Sequence, residues 1–98
     1  MMVCAVTDNP AASRFEMRVD GQLCLIDYHR NGNVLNLTHA EVPTAMNGRG
    51  LGAQLVQGAL DIIRQRNEQI IPTCSFVAAY VRRHGEYQGL VADRRSPP

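Results

Sequence analysis

Polar and apolar residues alternate in Arg14-Phe15-Glu16-Met17-Arg18-Val19, and strand-like runs follow over residues 22–30 and 34–42. A period of two marks a strand with one buried face. The pairs Asp20-Gly21 and Asn31-Gly32 separate these runs, and both are favoured in two-residue hairpin turns. Taken as such turns, they set Met17 opposite Cys24 and Phe15 opposite Ile26. Across the second turn they set Tyr28 opposite Leu35, Ile26 opposite Leu37, and Cys24 opposite His39. One face then gathers Phe15, Met17, Cys24, Ile26, Tyr28, Leu35 and Leu37. The other carries Arg14, Glu16, Arg18, Asp27 and Asn36, with Leu23 and Leu25 calling for partial cover. In this register His39 and Glu41 continue the face of Leu35 and Leu37.

From Gly50 the period changes to that of a helix. Leu51, Leu55, Ala59, Ile62 and Ile63 recur on one side and Gln54, Gln57, Asp61 and Arg64 on the other, which predicts a helix over residues 50–65. Asn47 is placed to cap its start and Asn67 to close its end. A short strand over residues 69–74 follows, interrupted by Pro72. Strand, helix and strand form one crossover, so this last strand is expected parallel to the third. A second helix is predicted over Ser75–Arg83, with Phe76, Val77, Tyr80 and Val81 on its apolar side and Arg82, Arg83 and His84 at its C-terminus. Residues 1–13 read as a loose lead-in and residues 93–98 as a fraying tail. The expected fold is α/β with a mixed sheet: an antiparallel three-strand meander, a β-α-β parallel pair and a C-terminal helix, all in one domain over residues 1–98.

Composition narrows the function. The 98 residues are 45% hydrophobic with a net charge of +1, enough for a modest core and too balanced to argue for nucleic acid or an anionic membrane as partner. No apolar run approaches membrane-spanning length, and the N-terminus lacks the pattern of a secretion signal. Three cysteines, Cys4, Cys24 and Cys74, stand without CxxC spacing. That favours neither a disulfide framework nor a metal site, and it suits the cytoplasm.

The junction between the third strand and the first helix is the chemically distinctive stretch, with Gly48, Gly50 and Gly52 alternating with Arg49 and Leu51. Glycine disfavours a helix by about 1 kcal/mol relative to alanine, so this run calls for a reason. Without Cβ atoms a ligand can approach the backbone. The first N–H groups of a helix also lack intrahelical partners and lie at the positive end of its dipole, which suits phosphate. The other reason is geometry alone, a tight turn. Gly48-x-Gly50-x-x-Ala53 fits the dinucleotide fingerprint in form, but two hairpins precede it and no acidic residue follows the next strand. No Walker pattern occurs.

Together these blocks resemble the GNAT acyltransferase superfamily, whose phosphate motif is Gln/Arg-x-x-Gly-x-Gly/Ala. Here the motif stands as Asn47-Gly48-Arg49-Gly50-Leu51-Gly52, with Asn in first place. The chain is similar in particular to short GNAT-like N-acetyltransferase-domain proteins, through His39-Ala40-Glu41-Val42-Pro43, Gly48-Arg49-Gly50, Pro72-Thr73-Cys74-Ser75-Phe76-Val77 and Arg83-His84-Gly85-Glu86-Tyr87. The resemblance covers about residues 14–92. It implies an acyl-CoA site: pyrophosphate on the N–H groups of Asn47, Gly48, Arg49, Gly50, Leu51 and Gly52, and the pantetheine arm beside Glu41 and Val42. Acetyl-CoA is the expected cosubstrate, with no metal.

The implied catalytic candidates are Cys74, His39 and Tyr80. Cys74 precedes a helix, where a thiolate is favoured, and can act as nucleophile or as a small buried filler. His39 is a general base on Cys74 or on an amine, or else a core histidine. Tyr80 lies near the position where larger GNAT enzymes keep a tyrosine that protonates the leaving thiolate, or is a core tyrosine. Those enzymes have helices ahead of the first strand that wall the acceptor pocket, for which this chain has no room. An open acceptor side suits a large acceptor such as a protein amine. The expected reaction is acetyl transfer to an amine by a monomer or weak dimer. The alternative is a coenzyme A binding module without catalysis.

Overall fold

The computed structural model describes residues 5–44 and 50–92. Four antiparallel strands come first: β1 (Val6–Asn9), β2 (Arg14–Val19), β3 (Gln22–Asn31) and β4 (Val34–Glu41). Helix α1 (Leu51–Gln65), strand β5 (Gln69–Ile71), helix α2 (Ser75–Arg83) and a 3₁₀ turn (Gly85–Leu90) follow. The sheet order is β1-β2-β3-β4-β5, with β5 parallel to β4. This is the expected mixed α/β sheet with one strand more. The lead-in is not loose throughout, because Val6–Asn9 pairs with β2 as an edge strand. Asp8 points into the protein there and is stabilised by partners far away in sequence. Tyr28 Oη donates to it at 2.7 Å and Arg66 pairs with it at 2.8 Å. The tail residues 93–98 lie outside the described residues.

The first hairpin has the predicted register, Met17 opposite Cys24 and Phe15 opposite Ile26. Asp20 and Gly21 have φ of 50° and 77°, the double left-handed conformation of a type I′ turn. The second hairpin turns one residue later than predicted. Asn31 pairs with Val34, so Gly32 and Asn33 form the loop, and of these only Gly32 has positive φ, 64°. Glycine at the first central position is the preference of the II′ family. Tyr28 therefore faces Leu37 rather than Leu35. The displacement is two residues, and side chains alternate with period two, so the faces are unchanged. Phe15, Met17, Cys24, Ile26, Tyr28, Leu35 and Leu37 are all buried in one core.

A bulge in β4 alters the end of that face. Tyr28 pairs with Leu37 but Asp27 pairs with His39, which leaves Thr38 as the extra residue. An extra residue inverts every side chain beyond it. Ala40, opposite Ile26, packs on the core, while His39 and Glu41 emerge on the outer face opposite Asp27 and Leu25. His39 and Glu41 thus do not continue the face of Leu35 and Leu37.

Both helices cover the inner face of the sheet. Leu55, Val56, Ala59, Leu60 and Ile63 of α1 and Val77 of α2 are fully buried against it, each worth roughly 1.5–3 kcal/mol for the larger side chains. Helix α1 ends in the bonding pattern of a Schellman motif: Asn67 at φ 58° donates to Arg64 O and Glu68 to Ile63 O, each at 3.1 Å. Gly58 exists for packing, since a Cβ there would overlap the Val6 side chain. Strand β5 stops at Ile71 rather than reaching Cys74, because Pro72 has no N–H for the ladder. No helix among the described residues is long and apolar enough to cross a membrane.

Candidate active site

The parallel strands β4 and β5 pair only over Val34–Asn36 and Gln69–Ile71. After Pro72 the chain turns, Thr73 N bonding to Ile71 O at 3.0 Å. Cys74 N reaches Leu37 O at 2.8 Å and then opens α2 as its N-cap, with φ −64° and ψ 126°. Beyond Leu37, β4 has no β5 residue beside it, so its backbone there is an edge on that side.

A cavity of about 480 Å³ opens next to this edge. Ala40 and Val42 at the end of β4 form one wall, and Gly50, Leu51, Gly52 and Ala53 at the start of α1 form another. Phe76, Ala79, Tyr80 and Arg83 of α2 form the third. Gly50 holds φ 72° at the N-cap of α1 with no side-chain cap, and a Cβ placed on it would meet nothing within 4 Å. The first backbone bond of the helix runs from Gln54 N to Gly50 O at 3.2 Å. The N–H groups of Leu51, Gly52 and Ala53 consequently lack intrahelical acceptors and sit at the positive end of a 15-residue helix.

Gly52 has a different reason for being glycine. A Cβ there would come within 2.6 Å of the Phe76 ring tip. Phe76 is 46% exposed, the one large hydrophobic side chain so exposed among the described residues. It does not join Val77, Tyr80 and Val81 in the core as expected; its ring lies over the first turn of α1 at the cavity.

Among the sequence candidates, the cavity unites Tyr80 with Val42, Gly50, Leu51 and Gly52. Asn47, Gly48 and Arg49 lie outside the described residues. Glu41 and His39 form a 2.9 Å pair on the outer face, both largely exposed, and neither lines the cavity. Cys74 is a free, half-buried thiol packed on the core, also outside the lining. Ala40, Ala53, Phe76 and Ala79 were missed as lining residues. The spacing of Phe76, Ala79, Tyr80 and Arg83 at i, i+3, i+4 and i+7 was the available signal, since those positions share one helix face.

Tyr80 is 8% exposed. Burial, then the negative charges of Glu86 and Asp61, push its phenol pKa up, so it carries its proton at neutral pH. His84 stacks on its ring at 4.0 Å and Tyr87 lies 6.1 Å away. Tyr87 Oη donates to Asp61 at 2.7 Å, which ties the C-terminal turn to α1. The apolar walls, the bare helix start and a protonated phenol suit a ligand with a phosphate at one part and a polarised, neutral group at another. No group of His, Cys, Asp and Glu among the described residues is arranged to hold a metal ion.

Comparison with known proteins agrees with this geometry. Residues 14–90 match the family model described as GCN5-related N-acetyl-transferase. Protein NATD1 of mouse is 29% identical over 72 residues, covering 70% of this chain and 66% of its own length. Protein NATD1 of human is 29% identical over the same extent of this chain and 64% of its own length. The chain thus spans just under two thirds of the length of these curated relatives. The solution structure of a GCN5-like protein from Staphylococcus aureus superposes with a TM-score of 0.68 at 23% identity, covering 97% of this chain and 96% of that one. The two share a fold.

Proposed function

The chain belongs to the GCN5-related N-acetyl-transferase family, whose model spans residues 14–90, and on that premise we propose that it transfers an acetyl group from acetyl-CoA to an amine. The observation that carries the proposal is the cavity at the β4 edge, bounded by the bare start of α1 and by Tyr80. The N–H groups of Leu51, Gly52 and Ala53 would hold the pyrophosphate, with Asn47, Gly48 and Arg49 completing the motif. The open edge of β4 near Glu41 and Val42 would pair with the amides of the pantetheine arm. Bound acetyl-CoA supplies a thioester as the acyl donor.

The chain's own residues would do the rest. The amine nitrogen attacks the thioester carbonyl and the carbon–sulfur bond breaks. Tyr80, kept protonated by its surroundings, gives its proton to the departing thiolate. The attacking nitrogen loses a proton to a base, for which His39 is the candidate; Glu41, 2.9 Å from its Nε2, would orient the ring. On a second route the Cys74 thiol attacks the thioester carbonyl, the carbon–sulfur bond to coenzyme A breaks and coenzyme A leaves as its thiol; the amine then attacks the Cys74 thioester and Cys74 returns to the thiol. The outer face bearing His39, which no described helix covers, suits a bulky acceptor, such as an amine on a protein. A second reading, a coenzyme A binding module without transfer, draws on the position of Cys74 and His39 outside the cavity lining.

Incubation with acetyl-CoA followed by intact-protein mass spectrometry, beside a thermal shift with coenzyme A, tests these readings. Stabilisation with an acetyl adduct that disappears in Cys74→Ala supports the covalent route. Stabilisation with transfer to an amine but no adduct supports direct attack. Binding with no transfer to any amine leaves the binding module, and no binding at all refutes the acyl-CoA assignment.

A further inference from the structure

Two of the three tyrosines are tied down through their hydroxyls. Tyr28 Oη donates to Asp8 and Tyr87 Oη to Asp61, each at 2.7 Å. Tyr80, the tyrosine that lines the cavity, makes no hydrogen bond from its hydroxyl to any described residue. Its Oη is therefore free for a ligand, and packing on its ring must decide where it points. A tyrosine within a helix has two accessible χ1 wells, and these place its hydroxyl several ångströms apart.

His84 supplies that packing. It follows Tyr80 by four residues, and helical side chains lean toward the N-terminus, over the turn before them. His84 ends α2 with φ −122°, yet its N–H still bonds to Tyr80 O at 3.0 Å. Its imidazole therefore lies nearly flat on the phenol, with ring centroids 4.0 Å apart and planes at 23°. The other aromatic neighbour, Tyr87, is 6.1 Å away and tilted by 38°, and its N–H bonds to His84 O at 3.0 Å. Arg82 and Arg83 already give this helix end its favourable positive charge, so the helix dipole does not call for His84. Nor does His84 line the cavity itself.

Resting on the reading of Tyr80 as the acid that protonates the departing thiolate, we infer that His84 is a positioning residue, whose stacked ring holds the free Tyr80 hydroxyl at the cavity. It acts through its flat face. It neither gives nor takes a proton in the step, and its ring nitrogens are not required.

The full chain with His84→Ala, His84→Phe and Tyr80→Phe tests this. Release of coenzyme A from acetyl-CoA, with a lysine-containing peptide as acceptor, gives kcat and KM. His84→Ala should lower kcat by about 10–100-fold with little change in KM for acetyl-CoA. His84→Phe, which keeps an aromatic face without ring nitrogens, should recover most of the loss. Proton–carbon NMR of the ligand-free, tyrosine-labelled protein reads the stacking directly. The Tyr80 ring protons, assigned by their loss in Tyr80→Phe, should be shifted upfield in the wild type and in His84→Phe but not in His84→Ala. Wild-type kcat in His84→Ala, equal losses in the two His84 variants, or unmoved Tyr80 resonances in His84→Ala would each overturn the inference and leave Tyr80 as the acid. Full turnover in Tyr80→Phe, or no coenzyme A release by the wild type, overturns the acid reading and the inference with it. Circular dichroism of each variant checks that the fold is kept.

Discussion

Replacing Gly52 with alanine isolates the reason for one glycine of the motif. The new Cβ would stand 2.6 Å from Cζ of Phe76, and 3.0 Å and 3.6 Å from its Cε atoms, with nothing else among its three nearest neighbours. Gly52 sits in the first turn of α1 without positive φ, so alanine fits the backbone and should gain about 0.5–1 kcal/mol of helix stability. Against this stands the displaced ring. Overpacking costs about 1–3 kcal/mol, and the lower end applies because Phe76 is 46% exposed and can swing outward. Gly52→Ala alone should thus change stability by no more than about 1 kcal/mol, in the destabilising direction. In a Phe76→Ala background all three contacts vanish, and Gly52→Ala should stabilise by about 0.5–1 kcal/mol. The two changes should therefore couple by about 1–2 kcal/mol, or roughly 4–8 °C of midpoint per kcal/mol for a domain of this size. Urea and thermal unfolding of the four proteins measure the coupling. Additivity within about 0.5 kcal/mol would refute the packing account and leave ligand approach as the reason for Gly52.

The other predictions each take one measurement. Gly50→Ala should cost about 1–2 kcal/mol in urea unfolding, from the left-handed φ of 72° alone, because its Cβ would meet open space. Asp8→Ala should cost about 1–3 kcal/mol, since it strips the partners of Tyr28 Oη and Arg66 at a side chain only 6% exposed. Tyr80→Phe should lower the turnover of acetyl transfer by about 10²–10⁴-fold while coenzyme A binding in a thermal shift barely moves. Burial and the Asp61 bond push the Tyr87 pKa to about 12; the folded value lies above the unfolded one near 10. Its contribution to stability is therefore complete below pH 10 and lost as pH rises toward 12. Unfolding midpoints should fall across that window and fall less in Tyr87→Phe.

Local patterns carried much of this fold. The first turn was readable because Asp20-Gly21 has one low-energy way to reverse a strand. The core face survived an error in the second turn because the shift was two residues, an even number. The strands, both helices and the glycine junction all follow from periods of 2 and 3.6 interrupted by turn residues. What escaped depends on distant partners. Strand β1 contains Asp8 and Asn9 and precedes Pro10, so locally it reads as loop; its stability comes from Tyr28, Arg66 and the notch at Gly58 that receives Val6. Gly52 and Phe76 explain each other, and 24 positions separate them in the chain. The Thr38 bulge leaves no mark of its own in the residue pattern.

That bulge has the largest functional consequence of anything the pattern concealed. With regular pairing, His39 would face inward beside Cys24, and a shared role with Cys74 would follow from neighbourhood. The extra residue instead gives the inward position to Ala40, whose small side chain forms part of the cavity wall. A larger side chain there would fill space on the side where a thioester would lie. His39 moves to the outer face, where Glu41 holds it at 2.9 Å, and the one strand then presents its small residue to the cavity and its basic residue to the opposite side. Donor and acceptor approaching from opposite faces of the sheet would meet at the gap where β4 and β5 part. In that arrangement the acceptor would not need to share the cavity. The same inversion puts His39 on the outer face while Cys74 packs on the core with its N–H bonded to Leu37 O, so on the proposed reading a direct attack by the amine would need no contact between the two.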